Sequence, residues 1–476
     1  MFENYVVDAD FDEMMQSRDV PRDVYSRLHR TLSAFADSEL VTRYRMAQSD
    51  FLRQGVTFTV YHDERGTERP MPFDFVPKII PANEWSRIER GLIQRVTALN
   101  AFLDDVYNDA EILHDGIVPR SLVVASEHFR PEVAHLRVPR SNHLFLSGID
   151  LIRDDTGAYH VLEDNLRNPS GLAYVFQNRH VMKKVFPELF NDYAVRPITS
   201  HFTDLLAALQ HIDPHERAHP TVVLLTPGSY NSAYFDHSFL AAQMGIELVE
   251  GRDLMVVDRT VYMKTSHGLE AVDVIYRRLD DAYLDPLEFN SDSLLGVAGL
   301  IDAYRAGNVA IANGVGNGVA DDKAMYAFVP QMIRYYLGEQ PILPNVTTYR
   351  LAEPDQCEYA LARLDQLVVK QVDSSGGYNM LIGPQAPEEE IERFRARIRL
   401  APHKFVAQPT VRLSKVPTFL PDGMKGCHCD LRAFVIQGET TTVFGGGLAR
   451  VAMKDGSLIV NSSQGGGAKD TWVLAE

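Results

Sequence analysis

Two stretches of this 476-residue chain decide how we expect it to fold: VLEDNLRNPSG at residues 161–171 and LVVKQVDSSGGY at residues 367–378. The first reads as the end of a strand. It places Glu163 and Asn165 on one face and the intervening aspartate on the other, because neighbouring strand residues point to opposite sides. The second ends an apolar strand at Lys370 and continues into a turn of serines and glycines. We interpret them as the acidic and cationic halves of one ligand site.

Glu163 and Asn165 predict a magnesium site. Mg²⁺ prefers hard oxygen ligands and usually shares its coordination shell with substrate phosphates. A carboxylate and an amide oxygen on one strand face offer two such ligands. The Asn-Pro-Ser-Gly turn that follows, residues 168–171, brings backbone N–H groups that suit an anion. A solvated hairpin edge is the alternative interpretation of the same residues.

Lys370 and Lys323 are candidate phosphate ligands. A lysine at the end of an apolar strand is costly unless it meets an anion. Glycines in the turn after it let the backbone approach phosphates, and serines add donors. The turn residues are Ser374, Ser375, Gly376 and Gly377. Lys323 is predicted to open a helix, where a cation opposes the helix dipole unless it reaches toward an anion. A lysine that reaches solvent is the alternative in both cases.

Further charged residues follow in the last third of the chain. Asp430 and Arg432 alternate with apolar residues, so they share one face of a predicted strand. In a nucleotide site they would bind magnesium and stabilise a transferred phosphoryl group; otherwise they pair with neighbours. Arg450 and Lys469 stand beside glycine-rich stretches and add positive charge, although Lys469 also fits an ordinary tail lysine.

Strands and helices alternate between about residues 215 and 315, which predicts a parallel α/β layer. Arg277, Arg278 and Asp280 follow one of its strands, at the end where α/β ligands commonly bind. We predict a substrate clamp there, with a surface salt-bridge cluster as the alternative. The sequence GVGNG at residues 314–318 lacks the spacing of a dinucleotide-binding loop and favours a tight turn.

Composition excludes several classes of function. Lys and Arg number 47 and Asp and Glu 64, and the resulting net charge of −17 argues against nonspecific nucleic-acid binding. No apolar run approaches the roughly 20 residues needed to span a bilayer, so we expect no membrane partner and a cytoplasmic location. The three cysteines do not indicate a disulfide framework. Cys427 and Cys429 flank a histidine, but no second cluster completes a zinc site, so we expect strand packing.

Taken together, these segments resemble the circularly permuted ATP-grasp proteins, because the acidic motif precedes the lysine and the glycine loop. The group includes proteins labelled glutathionylspermidine synthases, and eukaryotic-type glutathione synthetase is a more distant relative. The resemblance covers nearly the whole chain. It implies a mixed α/β (α+β) fold in which two antiparallel sheets enclose ATP and a parallel α/β subdomain binds substrate. The predicted divisions are residues 1–55 (helical), 56–210 (metal motif), 211–318 (substrate subdomain) and 319–476 (ATP-binding part).

The resemblance also implies roles for the candidate residues. It assigns Glu163, Asn165 and Asp430 to Mg²⁺, Lys323 and Lys370 to the phosphates of ATP, the stretch from Gln408 to Val411 to the adenine, and the Ser374–Gly377 turn to a loop that covers the phosphates. Arg450 would lie near the acceptor or the transferred phosphate. Lys469 and Arg432 are kept as further nucleotide and catalytic candidates.

The implied activity is an ATP- and Mg²⁺-dependent carboxylate–amine ligase that forms an acyl phosphate from a small-molecule acid and transfers it to an amine or peptide. The sequence does not name the acid, the amine or the oligomeric state. It carries no amidase domain or nucleophilic cysteine motif of a bifunctional glutathionylspermidine enzyme. Two alternatives stay open: a nucleotide-binding scaffold or sensor, and an ATP-grasp kinase that phosphorylates a hydroxyl.

Overall fold

The computed structural model describes residues 2, 5–59, 68–372, 379–421, 423–461 and 465–475, with the backbone alone at 57–59 and 68–70. Its strands are β1 (Met15–Ser17), β2 (Val20–Pro21), β3 (Thr57–Thr59), β4 (Glu68–Pro70), β5 (Phe73–Ile80), β6 (Leu146–Arg153), β7 (Tyr159–Asn165), β8 (Val222–Leu225), β9 (Glu247–Val249), β10 (Leu254–Val257), β11 (Thr260–Thr265), β12 (Gly268–Ala271), β13 (Val274–Arg277), β14 (Ala310–Ala312), β15 (Tyr349–Arg350), β16 (Leu367–Gln371), β17 (Leu381–Ile382), β18 (Phe405–Pro409), β19 (Lys415–Leu420), β20 (Gly423–Gln437), β21 (Thr441–Val451) and β22 (Gly467–Val473). Its α-helices are α1 (Ser26–Ala34), α2 (Asp37–Arg53), α3 (Ala82–Tyr107), α4 (Glu111–His114), α5 (Arg120–Val124), α6 (Leu172–Val185), α7 (His201–His211), α8 (Tyr234–Met244), α9 (Leu300–Arg305), α10 (Lys323–Tyr326), α11 (Val329–Met332), α12 (Pro354–Leu361) and α13 (Glu388–Leu400).

A seven-stranded sheet in the order β5-β22-β21-β20-β6-β7, with β19 beside β20, is the largest layer. Its strands come from the front and the rear of the chain, so the two halves of the sequence meet within it. β6 and β7 form a hairpin whose turn is built by Asp154, which accepts backbone N–H groups of Thr156 and Ala158. Gly157 completes that turn at φ 85°, a conformation that glycine adopts without steric cost.

The second layer is a four-stranded antiparallel sheet in the order β15-β18-β16-β17. Helix α13 covers one side of it and buries Ile391, Phe394 and Ile398. These three residues are three and four positions apart, so they lie on one face of the helix. The two sheets of the predicted fold are therefore present, but only the four-stranded one is antiparallel throughout, because β22 and β5 of the seven-stranded sheet run parallel.

The third layer is a parallel sheet in the order β14-β13-β8-β9. Strands β8, β13 and β14 are short and buried, as expected where both faces of a sheet are covered, whereas the edge strand β9 begins at the exposed Glu247. The predicted parallel α/β layer is confirmed. A small antiparallel meander of β10, β11 and β12 extends from it.

Helices cover both faces of the seven-stranded sheet. Helix α3 has apolar residues at three- and four-residue spacing and packs on the face that carries Leu431 and Ala449. Helix α6 packs on the other face, against Phe434 and Leu448. None of the helices in the described part of the chain combines the length and apolarity needed to cross a membrane.

Candidate active site

A cavity of about 650 Å³ lies where the seven-stranded sheet, the four-stranded antiparallel sheet and the carboxyl ends of β8 and β13 meet. Small-molecule and cofactor sites commonly measure roughly 300–1,000 Å³. The predicted site residues that line this cavity are Glu163, Asn165, Arg278, Asp280, Lys323, Lys370, Gln408, Val411, Asp430, Arg432 and Arg450. The structure thus brings the acidic motif and the strand lysine to one space.

Three oxygen-bearing side chains approach the cavity from the β6–β7 hairpin. Glu163 and Asn165 point into it from β7, and Asp150 on β6 lies directly opposite Glu163 in the antiparallel register. The amide nitrogen of Asn165 is buried and makes no hydrogen bond within the described structure. Asp164 points to the other face, where the guanidinium of Arg95 on α3 donates two hydrogen bonds of 2.6 Å to its carboxylate.

Two arginines and two carboxylates link three neighbouring strands, β6, β20 and β21. Arg432 on β20 donates hydrogen bonds of 2.7 and 2.9 Å to Asp150. Arg450 on β21 donates one of 2.8 Å to Asp150 and another of 2.8 Å to Asp430. Burial tends to raise the pKa of Asp150, but attraction to both arginines outweighs burial and holds this pKa well below its ordinary value. Burial raises the pKa of Asp430, against the attraction of Arg450.

Two lysines surround Glu163. The ammonium of Lys323 lies 2.9 Å from the carboxylate of Glu163, at the start of a helix whose first N–H groups are capped by Asp322. Burial tends to raise the pKa of Glu163, but attraction to Lys323 and Lys370 outweighs it, so this pKa is lowered. The pKa of Lys370 is also lowered, by burial first and by repulsion from Lys323 and Arg450.

The four-stranded sheet forms the other wall of the cavity. Gln408 on β18 lies opposite Val368 on β16 and donates a hydrogen bond of 2.9 Å to the Thr348 hydroxyl. Val411 and Ile382 line the same end. This combination of apolar side chains and strand-end backbone groups suits a flat heteroaromatic ring, which the sequence predicted for residues 408–411.

Arg278 supports the turn after the acidic motif. Its side chain is 1% exposed and donates a hydrogen bond of 2.9 Å to the carbonyl of Pro169. The guanidinium also meets Asp236 of α8 at 3.3 Å, and Asp236 accepts a hydrogen bond of 2.7 Å from the backbone of Ala173. This pair brackets the turn between β7 and α6. Direct contact of Arg278 with substrate stays a prediction.

The structure does not bring Lys469 to the cavity, which corrects its place among the nucleotide candidates. Lys469 pairs in the β-sheet register with Ala449, whereas Arg450 pairs with Ala468, so Lys469 points to the opposite face. There its fully buried ammonium forms an ion pair with Asp74 and donates a hydrogen bond to the carbonyl of Pro417. Its charge is already satisfied by the protein.

Arg277 is likewise placed away from the cavity, and the prediction that it clamps substrate is corrected. Its side chain is fully buried and donates hydrogen bonds to the carbonyls of Asn313 and Leu279, at 2.8 and 2.6 Å. It also forms a 2.9 Å ion pair with Asp281. Neighbouring strand residues point to opposite sides, which explains why Arg278 reaches the cavity and Arg277 does not.

The predicted phosphate-covering residues Ser374, Ser375, Gly376 and Gly377 lie outside the described residues.

The sequence did not predict some parts of the cavity wall. Asp150 was not recoverable from the turn alone, because a register shift between Asp150 and Leu151 sets Asp150 opposite Glu163 instead of Leu162. Residues 227–233, which follow β8 and contribute Asn231 and Ser232 to the wall, carried no recognised motif.

The oxygen donors at the cavity surface suit Mg²⁺ only in combination with a nucleotide. No cluster of three or more His, Cys, Asp or Glu side chains positioned to hold a metal ion occurs in the described residues. Asp150, Glu163 and the amide of Asn165 do provide adjacent oxygen donors at the cavity surface. Because Mg²⁺ is typically bound through one or two carboxylates plus substrate phosphates, these residues fit the ion together with a nucleotide.

The chain is similar to several curated proteins over almost its whole length. It is 50% identical over 466 residues to an uncharacterized protein of Mycobacterium tuberculosis, covering 98% of this chain and 84% of that protein. It is 48% identical over 465 residues to an uncharacterized protein of Synechocystis, covering 98% and 97%. It is 42% identical over 471 residues to a Frankia alni protein named "Putative glutamate--cysteine ligase 2-3", covering 98% of this chain and 54% of that protein.

Among solved structures, the fold is similar to that of a glutathione synthetase-like effector from Globodera pallida. The TM-score is 0.59 at 12% sequence identity, over 92% of this chain and 98% of that one. The family model described as circularly permuted ATP-grasp type 2 matches residues 77–452. That range includes the hairpin acids, both cavity lysines and the paired arginines, and the chain therefore belongs to the circularly permuted ATP-grasp type 2 family.

Proposed function

We propose that this protein is an ATP- and Mg²⁺-dependent ligase that joins a carboxylate to an amine through an acyl phosphate. Family membership supports an ATP-dependent ligase in general. Relatives named as glutamate–cysteine ligases, of which this chain spans about half, lend support to amide-bond formation. The observation that carries the proposal is the convergence of Glu163 from the front of the chain with Lys323 and Lys370 from its rear in one cavity.

In this proposal the four-stranded sheet holds the adenine and the two lysines hold the phosphates. Gln408 to Val411 border the apolar end of the cavity, while Lys323 and Lys370 lie toward the acids. Burial lowers the pKa of Lys370, and repulsion from Lys323 and Arg450 lowers it further, so a bound triphosphate would stabilise the charged form of this lysine. Burial in a region of low dielectric constant also strengthens each ionic contact with the ligand.

Asp150, Glu163 and Asn165, with Asp430 as a further candidate, would hold Mg²⁺ between these acids and the phosphates. When bound, the ion offsets the negative charge that develops on the phosphoryl group. Arg432 and Arg450 stand beside the acids and would stabilise the same charge through guanidinium hydrogen bonds. Their carboxylate partners hold both guanidinium groups in fixed positions.

The chemistry proceeds in two balanced steps. A carboxylate oxygen of the acid attacks the γ-phosphorus of ATP, and the bond from that phosphorus to the β,γ-bridging oxygen breaks, giving an acyl phosphate and ADP. The amine nitrogen then attacks the acyl carbon, and the carbon–oxygen bond to phosphate breaks. The amide, inorganic phosphate and one proton are released. Exclusion of water from the cavity protects the acyl phosphate from hydrolysis.

The test is ADP release over paired acids and amines, with mass spectrometry of the products. The proposal expects ADP only when both an acid and an amine are present, and a product with the mass of their amide. Glu163→Ala is expected to abolish this release. A stable phosphoester made without an amine would instead identify a kinase, and ATP binding without any ADP would identify a sensor; either result contradicts the ligase. Near-normal ADP release by Glu163→Ala would reject the metal assignment.

A further inference from the structure

His237 lies in the wall of the cavity, at the end formed by the parallel sheet. It belongs to the first turns of α8, which the chain reaches from the carboxyl end of β8 through residues 226–233. Ligands of open α/β sheets bind outside the carboxyl ends of the strands. The side chain of His237 is 2% exposed and borders the cavity. It is therefore withdrawn from bulk solvent but within reach of a ligand.

One ring nitrogen of His237 is held by the protein. Nδ1 lies 2.9 Å from the hydroxyl of Thr226, and this hydroxyl accepts a hydrogen bond of 3.2 Å from the backbone N–H of Gly228. A hydroxyl oxygen has two lone pairs, so the second can accept the N–H of Nδ1. In that tautomer the lone pair of the ring is on Nε2, which makes no hydrogen bond within the described part of the chain.

The surroundings of His237 keep its ring neutral. Burial, and secondly the guanidinium of Arg278, hold the pKa of His237 well below its ordinary value. Arg278 is itself paired with Asp236, the residue before His237 in α8. An intermediate that carries a phosphate would bring negative charge into the cavity and raise the pKa of His237. A proton acceptor is most effective when its pKa is close to the working pH.

Other side chains of the cavity are less suited to accept a proton. Among the described residues that line it, His237 is the one histidine. Each carboxylate of the lining forms an ion pair with a lysine or an arginine, which opposes protonation. These carboxylates belong to Asp150, Glu163, Asp280, Asp321 and Asp430.

We propose that Nε2 of His237 is the base that takes a proton from the amine during amide formation. The inference rests on the proposed ligase function. As the amine nitrogen bonds to the acyl carbon it becomes positively charged, and one of its N–H protons passes to Nε2. The carbon–oxygen bond to phosphate then breaks with its electron pair on oxygen. The imidazolium gives the proton to the departing phosphate, and the ring is neutral again.

This assignment places the amine at the carboxyl ends of β8 and β13, where His237 and Arg278 border the cavity. The acid would then lie between the amine and the two lysines assigned to the phosphates. A base that acts on the amine alone is not needed for the first step, in which the acid and ATP form the acyl phosphate. Loss of the imidazole should therefore separate the two steps of the reaction.

The first test compares two nucleophiles, with the acid that supports ADP release. Hydroxylamine replaces the amine in a parallel reaction and traps the acyl phosphate as a hydroxamate. Its nitrogen is much less basic than that of an ordinary amine, so its proton is lost to water without a protein base. In His237→Gln, amide formation should fall by at least about 100-fold, whereas hydroxamate formation should stay within about tenfold of that of the unmodified protein.

His143→Gln is the matched control. His143 is also 2% exposed and is also hydrogen-bonded, at 3.1 Å from Asp104, but it does not line the cavity. Its replacement should not separate the two reactions. Thr226→Val removes the hydroxyl that orients the ring of His237, so it should lower amide formation more than hydroxamate formation. Equal losses of both reactions in His237→Gln, or no loss of either, would overturn the inference.

The second test needs no substrate. Nitrogen NMR of the full chain with isotope-labelled histidine determines which ring nitrogen of His237 carries the proton, and His237→Gln assigns the signal. A proton on Nδ1 is expected. A proton on Nε2 would overturn the base even if the ligase reaction is found, because that nitrogen could not accept another. Absence of ADP release from the unmodified protein with every acid and amine would instead contradict the ligase itself, and with it the base.

Discussion

Charged side chains on the two faces of the seven-stranded sheet have different surroundings. On the face that packs against α3, Asp164 forms a buried ion pair with Arg95, and Lys469 forms a buried ion pair with Asp74. On the cavity face, Glu163 forms an ion pair with Lys323, and Asp150 forms ion pairs with Arg432 and Arg450, but these groups border a space large enough for a ligand. A buried charge must be paired, so the first face completes its pairs with protein. The cavity face also pairs its charges within the protein, but its pairs border a space in which a ligand can contact them.

Among substitutions on the two faces of the sheet, the largest loss of activity is expected at Glu163. Glu163→Gln keeps the shape of the side chain but removes the negative charge that pairs with the partly exposed Lys323, so ADP release should fall by at least about 10³-fold. The free energy of unfolding should change by less than about 1 kcal/mol. Activity assays and urea denaturation of the same preparation measure both quantities. Retained activity, or a large loss of stability, would remove the distinction between the two faces.

The neighbouring carboxylate should behave in the opposite way. Asp164→Asn leaves the buried guanidinium of Arg95 without its ionic partner, and breaking a buried pair typically costs about 3–5 kcal/mol of stability. The folded fraction should bind nucleotide as the unmodified protein does. Urea denaturation and titration with a fluorescent ATP analogue test this. If nucleotide affinity falls while stability is kept, residue 164 belongs to the cavity face after all.

The Arg278–Asp236 pair connects the α/β layer to the acidic motif, so its loss should have a mixed effect. In Asp236→Asn the guanidinium loses a charged acceptor, which should lower stability by about 2–3 kcal/mol. The turn between β7 and α6 should loosen, lowering kcat more than it raises KM for ATP. Steady-state kinetics with thermal unfolding provide the measurement. A change in KM alone would show that the pair contacts substrate and does not position the turn.

The smallest expected effect concerns pH. Because the pKa of Lys370 is lowered, its ammonium loses its proton at a lower pH than an ordinary lysine. The positive charge is present below that pKa and disappears as pH rises through it, so ATP affinity should weaken in alkaline solution by about tenfold. Lys370→Arg should keep its charge and abolish this dependence. Fluorescent-nucleotide titrations across the alkaline range test it, and parallel pH profiles for the two proteins would contradict it.

Much of the candidate site could be predicted because its signals are local. Strand alternation places Glu163 and Asn165 together and Asp164 apart, and the structure confirms this arrangement. The same alternation separates Asp430 and Arg432 from their apolar neighbours. The β6–β7 hairpin also follows from its turn residues. These features depend on backbone geometry over a few residues, which distant parts of the chain do not alter.

Lys370 and Lys469 show that short-range sequence patterns do not reveal which of two similar lysines reaches the cavity. Each stands beside a glycine-rich stretch in a β-strand, and the sequence offered the same interpretation for both. One lines the cavity, whereas the other pairs with Asp74 on the far side of the sheet. Asp74 lies almost 400 positions earlier in the chain, so no short-range pattern reveals that pairing.

By itself, the sequence determined the order of the motifs and which side chains share a strand face, because both are properties of the covalent chain and of the two-residue strand period. Only the tertiary structure decided which face became the cavity and which charges were already neutralised. That choice depends on where α3, α6 and the four-stranded sheet pack, and on buried partners supplied by remote segments. A buried charge is stable next to either a protein partner or a ligand, and three-dimensional packing alone distinguishes the two.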